Sequence, residues 1–203
     1  TQYGIDASGL HHPEGYTHST WMVSTNPGNI ERALDAYYES LGADADRLEA
    51  ELAGMINRHM DLTFQTENYG SRSANLSKGY FNGSSVRVQR GKVSEFIKLW
   101  KSRVEPVFEQ LLKEGTIVAY GLDEPRHHTS EDSLGQMVSW YVTESMDADV
   151  KVDAAFEASR AALSEAERTA QQEEYWSLVV ENSHRDDFTR LIHYRTKLSL
   201  IHI

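Results

Sequence analysis

The sequence predicts an α+β fold in which an antiparallel sheet carries helices on one face. Three observations predict it. Residues 85–203 read, in order, as strand, helix, strand, strand, helix, strand. The strand candidates Ser85–Arg90 and Gln136–Thr143 alternate apolar and polar side chains, the pattern of a sheet with one buried face. The segment Val93–Glu114 instead repeats apolar residues at helical spacing, through Phe96, Trp100, Val104, Val107, Phe108, Leu111 and Leu112.

Residues 1–16 show neither period and read as an extended N-terminal arm. His18–Thr25 alternates and predicts the first strand. Asn26-Pro27 opens a helix: asparagine accepts free backbone N–H groups at the N-cap, and proline in the first turn gives up a donor that has no partner there. Ile30, Leu34, Tyr37, Tyr38 and Leu41 make its apolar stripe, and Gly42 ends it. A second helix starts near Asp46, paired with Glu49 as a capping box, and is expected to bury Leu48, Leu52, Met55, Ile56 and Met60. Asp61–Ser85 is rich in glycine, serine and asparagine and predicts a long boundary loop. Its two glycosylation triplets, at Asn75 and Asn82, suit an exposed segment.

Pro106 lies inside the long helix, deletes a backbone donor and predicts a bend or a split. Thr116–Leu122 is a strand, Asp123–Leu134 a polar loop bearing His127 and His128, and Gln136–Thr143 the returning antiparallel strand. Asp147 is expected to cap a helix with Val150, Ala154, Ala158 and Ala161 on one stripe, which Ser164 and Glu167 restart through a capping box. Trp176–Val180 reads as a short strand and Thr189–Leu200 as the last one.

Trp21-Met-Val-Ser-Thr lies over Trp140-Tyr-Val-Thr-Glu, and after one gap ALDAYYES lies over KVDAAFEAS. Val86–Lys92 further resembles Leu191–Lys197, so strand, helix, helix, loop, strand is expected twice, as a partial internal duplication. The organisation expected is an arm over 1–16, a half-repeat over 17–84 and a complete unit over 85–203, packed as one body.

Composition excludes several classes of function. Twenty basic and thirty-one acidic residues give a formal net charge of −11, which opposes non-specific adhesion to nucleic acid or to an anionic membrane. No apolar run approaches the ~20 residues that span a bilayer. The absence of cysteine removes disulfides, thiolate metal sites and thiol nucleophiles. A start at Thr1 fits a processed exported protein, periplasmic or extracellular, or a trimmed front.

The segments SEFIKLWKSRVEPVFEQLLKEGTIVAYGL, MVSWYVTE, DADVKVDAAFEAS and HRDDFTRLIHY resemble the dimeric α+β barrel superfamily of ferredoxin-like proteins, in particular its little-characterised bacterial members. The resemblance covers about half the chain and reaches the rest only through the repeat. It implies two four-stranded sheets paired as a barrel, within a homo-oligomer or between fused repeats, with a small-molecule ligand inside. Activities in the superfamily include cofactor-free oxygenation, isomerisation and haem chemistry. No catalytic signature of these maps onto the chain, so the cofactor stays unassigned.

Alternation alone places Arg87, Gln89, Ser139, Tyr141, His193 and Arg195 on one polar face, the expected ligand site. A solvated polar face gives the same pattern. His193 is the candidate base, with Tyr141 or Arg195 to hold an oxyanion. His11, His12 and His18, with Glu14, offer donors suited to zinc or copper, but their spacing matches no established ligand motif and no metal is assigned. His184, Asp186 and Asp187 near His193 read either as an acid–base group or as a turn and cap. The four tryptophans read as core. Three functions follow: binding of a small apolar or aromatic ligand over the sheet, cofactor-free oxygenation or isomerisation by a histidine base, and self-assembly through the arm.

Overall fold

The computed structural model describes residues 2–11, 18–57, 62–126 and 135–195, the first of these as backbone only. His12, Glu14, Met60, His127, His128 and the end of the expected last strand lie outside the described residues.

Among the described residues, eight strands form one antiparallel sheet. They are β1 (Gln2–His11), β2 (His18–Val23), β3 (Phe64–Ser71), β4 (Asn75–Leu76), β5 (Gly79–Arg87), β6 (Ile117–Pro125), β7 (Gln136–Thr143) and β8 (Arg185–Arg195). Their order is β2-β1-β8-β5-β7-β6-β3, with short β4 beside β8. Inside it, β8-β5-β7-β6 is the ferredoxin-like order expected for the second half. The helices are α1 (Pro27–Leu41), α2 (Ala45–Met55), α3 (Val93–Arg103), α4 (Glu105–Glu114), α5 (Met146–Ala161) and α6 (Glu165–Leu178). No helix among the described residues is long and apolar enough to cross a membrane.

The expected local signals explain many boundaries. Asn26 Oδ1 accepts from Gly28 N at 3.0 Å and Pro27 starts α1. The long helix splits at Val104, and Pro106 falls in the first turn of α4, where it costs no helical hydrogen bond. Gly115 closes α4 at φ 80°, a left-handed conformation glycine adopts without Cβ crowding. Ser164 and Glu167 form the complete capping box that starts α6.

Other expectations are corrected. Residues 2–11 of the expected arm form strand β1, paired on both sides with β2 and β8. The boundary loop holds β3, β4 and the start of β5, because its polar residues find backbone partners on β6, β8 and β7. Asn82 sits in β5 and donates its amide to Asp149 at 2.6 Å. Ser145, not Asp147, caps α5, accepting from Ala148 N at 3.2 Å. Asp46 caps nothing, since α2 grows directly out of a 3-10 turn over Gly42–Asp44. Trp176–Leu178 is the end of α6, and only Val179 bridges to the sheet, at Val88. The similarity of Val86–Lys92 to Leu191–Lys197 joins β5 to β8, which occupy adjacent and not equivalent places. What does recur is element order: β2-α1-α2-β3 and β7-α5-α6-β8.

Helices α3 to α6 cover one face of the sheet. Phe96, Trp100, Phe108, Leu111, Val152 and Leu178 pack there on Val86, Ile117, Tyr120, Leu122 and Met137. The other face gathers a second core of Val118, Ala119, Trp140, Val142, Leu191 and Tyr194, with Trp21, Tyr69, Leu76 and Phe81 against it. Trp21 on β2 and Trp140 on β7 are four strands apart in the sheet, yet their ring centroids are 6.4 Å apart. A flat sheet would separate those strands by about 19 Å. The sheet therefore curls, with this second core inside.

Trp140 lies flat across the neighbouring strand because Gly121 leaves room: a Cβ there would stand 2.5 Å from its indole. Gly121→Ala is expected to push the indole aside and destabilise the protein by about 1–3 kcal/mol, with a changed tryptophan emission. Urea melts with unchanged midpoint and emission would refute this packing.

Candidate functional site

The inside of the curl is the candidate site, because it joins aromatic rings to polar atoms that water does not reach. β7 supplies Trp140, β5 supplies Phe81, β8 supplies Tyr194, β3 supplies Tyr69 and β2 supplies Trp21. Ring centroids lie 5.3 Å apart for Trp21 and Tyr194, 5.9 Å for Phe81 and Trp140, and 6.0 Å for Tyr69 and Trp140. These are distances of direct ring contact. Burial raises the Tyr69 and Tyr194 phenols, and the neighbouring Tyr69 phenol adds to the rise at Tyr194.

Asp123 is an acid of the site, and Asp187, opposite Gly83 on β8, shares the same face. Asp123 stands on β6 opposite Val138, two residues beyond Gly121, so it shares the inner face with Trp140. Trp140 Nε1 donates to its Oδ2 at 2.6 Å. Burial pushes its carboxyl up to about 6, against the lowering influence of Thr66 and of the Trp140 hydrogen bond. Burial leads because the ionised form loses its water, and one indole N–H returns only part of that solvation. Oδ1 is buried and makes no hydrogen bond of ordinary geometry; the Trp21 Nε1 donor is likewise buried without an acceptor. A donor and an acceptor thus stand inside the same aromatic lining. Such groups are rare in folded proteins unless something else meets them.

The six residues expected on one polar face do not share it. Ser139 and Tyr141 face the helices: Ser139 Oγ accepts from Trp100 Nε1 at 2.9 Å, and Tyr141 Oη donates to Asp149 Oδ1 at 2.9 Å. Burial, then Asp149, drives the Tyr141 pKa far up. Both side chains tie helices to the sheet. Gln89 lies beyond β5, where its side-chain amide reaches the Val179 carbonyl at 3.5 Å. Arg87 takes the opposite face from Tyr141 at the far end of β5.

His193 and Arg195 are turned away from the curl by a bulge. Ile5 pairs with His193 and Asp6 with Leu191, so Ile192 is an extra residue in β8. Leu191 and Tyr194 consequently both point inward, and His193 and Arg195 point out. Desolvation, then Arg195, lowers the His193 pKa. Arg195 Nε donates to Asn75 Oδ1 at 3.0 Å. His184 meets Asp186 Oδ1 at 3.0 Å on the exposed surface, nine positions from His193 along the chain. His18 begins β2, His11 ends β1, and among the described residues no three acidic or histidine side chains converge as a metal site.

Asp123 escaped the sequence reading because it sits one residue past the expected end of its strand. The usable signal was Ala119 and Gly121 ahead of it at alternate positions, small residues that mark a close approach by a large neighbour.

No protein-family model matches the chain, and none of the curated proteins matches it. Two solved structures share its fold over nearly its whole length. One is a provisionally named monooxygenase from Lactobacillus acidophilus NCFM, 12% identical at a TM-score of 0.56 over 95% of this chain and 76% of its own. The other, also provisionally named a monooxygenase, is from Fusobacterium nucleatum subsp. nucleatum ATCC 25586, 10% identical at a TM-score of 0.59 over 97% of this chain and 77% of its own. At these identities the likeness is one of fold. The chain has an α+β, ferredoxin-like antiparallel sheet with helices on one face, of the dimeric α+β barrel type.

Proposed function

We propose that the inside of the curled sheet binds a planar aromatic molecule bearing an ionisable hydroxyl, with Asp123 accepting the hydroxyl's hydrogen bond. The observation that supports it best is the Asp123 carboxyl itself, pushed up to about 6 beside the Trp140 indole. An aromatic lining favours a flat apolar ligand, and an acceptor with a pKa near neutrality suits a proton taken from it. The buried Trp21 Nε1 supplies a donor for a second ligand oxygen.

A second reading makes the ligand a substrate for oxygenation without a cofactor. The names of the two fold neighbours favour it. The hydroxyl proton passes to Asp123, an electron pair of the ring that remains forms a carbon–oxygen bond as the π bond of dioxygen opens, and the ring-bound peroxide so formed takes the proton back from Asp123. The base in this reading is the Asp123 carboxyl inside the curl, in place of His193 on its outer face.

Asp123 also sets a pH dependence whose sign follows from its shift. Its pKa is raised on folding from 3.8 to about 6, so the protonated group contributes stability that is complete below pH 4 and is lost as pH rises through about 6. Asp123→Asn removes this dependence while its amide oxygen still accepts from Trp140. The stability of the variant relative to the native chain is expected to rise by up to about 3 kcal/mol between pH 4 and pH 7 in urea melts. A constant difference would mean that the carboxyl is not desolvated.

Titration with 2-naphthol, followed by tryptophan quenching, tests the binding reading. The native chain is expected to bind more tightly at pH 7.5 than at pH 5, and Asp123→Asn to weaken binding at pH 7.5 by about tenfold or more and to flatten the pH profile. Absent quenching, or the same profile in both proteins, rules the site out. Oxygen uptake in the same mixtures separates substrate from ligand.

A further inference from the structure

Among the described residues, the two outermost strands of the sheet, β2 and β3, each pair on one side only, with β1 and β6. Every neighbouring pair in the path between them is antiparallel, and the path contains six steps. An even number of reversals leaves β2 and β3 running the same way. The curl brings them to the same ring: Trp21 of β2 and Tyr69 of β3 lie 6.4 and 6.0 Å from Trp140. One further strand between them, antiparallel to both, would close the sheet into a barrel with every pair antiparallel. A direct β2–β3 pair would be parallel.

The helices tell the same story from the outside. In β7-α5-α6-β8, the strand between β7 and β8 is β5, and the helices that follow it cover α5 and α6. Phe108 of α4 meets Phe156 at 5.2 Å, Phe96 of α3 meets Tyr175 at 6.4 Å, and Arg103 pairs with Glu174. In β2-α1-α2-β3 no strand of the described residues lies between, and much of the apolar stripes is exposed. Leu34, Tyr37 and Tyr38 on α1 and Leu52 and Met55 on α2 are 41–73% exposed. Isolated exposed apolar residues are ordinary, but several exposed together on two successive helices mark a contact surface.

From these two vacancies in register with each other we infer that the gap between β2 and β3 receives a strand–helix segment of the kind formed by β5, α3 and α4. Its strand runs antiparallel to both edges. Its helix covers the stripes of α1 and α2 and leads into β1, as α4 leads into β6. About a quarter of each fold neighbour's own length lies outside the match, which is ample for such a unit. The inference is independent of what the curl binds, since it rests on strand direction and exposed helix faces alone.

Hydrogen–deuterium exchange on the 203-residue chain tests it, with and without a synthetic peptide copying residues 79–115. Alone, the chain is expected to be monomeric by native mass and to exchange rapidly along one side of both His18–Val23 and Phe64–Ser71. With the peptide, one equivalent binds and exchange slows about tenfold or more in both strands at once, with new protection along α1 and α2. A peptide carrying Ser84→Pro should give none of this, because proline cannot sit in a central strand. Protection of one edge only, or of neither, overturns the inference. A dimer of the chain whose two edges are already protected also overturns it, because a second copy would then be the occupant.

Discussion

Trp140 and the space that Gly121 leaves for it hold the rest of the structure in place. An indole laid across a neighbouring strand cannot be accommodated by a flat sheet with ordinary side chains, and here it forms the floor on which Trp21, Tyr69 and Phe81 all rest. Apolar burial on that inner face draws strands from the two ends of the sheet together. The outer face is left free for α3 to α6, whose apolar stripes would otherwise have nothing to cover. One contact thus decides the curl, and the curl decides which side chains are inside.

Chemistry enters through the same contact. The ring that shapes the curl also donates to Asp123, so a carboxyl on the inner face is held by the aromatic group that deprives it of water. That combination leaves the group between its two charge states near neutral pH, where a small change in surroundings moves its proton. Outside, Asp149 receives Tyr141 and Asn82 and anchors α5 to the sheet, a carboxylate used for attachment.

Much of the second half was legible because its signals are local. Pro106 splits a helix wherever the helix lies, and Ser164 with Glu167 starts one. The alternation of Gln136–Thr143 was legible too, but not which face would be inner, since helices cover Ser139 and Tyr141 while Trp140 turns into the curl. The bulge at Ile192 was invisible: one extra residue reverses the direction of His193 and Arg195 without leaving a pattern in the sequence. The polar strand β3 was hidden for a related reason, since its place is fixed by backbone partners on β6 and not by its own side chains. The stripes of α1 and α2 were read correctly as stripes, whereas their burial depends on a surface that their own residues do not encode.

The central claim is that the outermost strands of this sheet face each other across a narrow gap. The chain has no cysteine, so Thr20→Cys and Gln65→Cys, at exposed positions of β2 and β3, can carry a pair of nitroxide labels without background. Dipolar broadening in frozen solution should report a separation below about 20 Å, two strand spacings plus the reach of the labels. A separation near 30 Å or more, the width of six spacings in an open sheet, would contradict the curl and everything placed inside it.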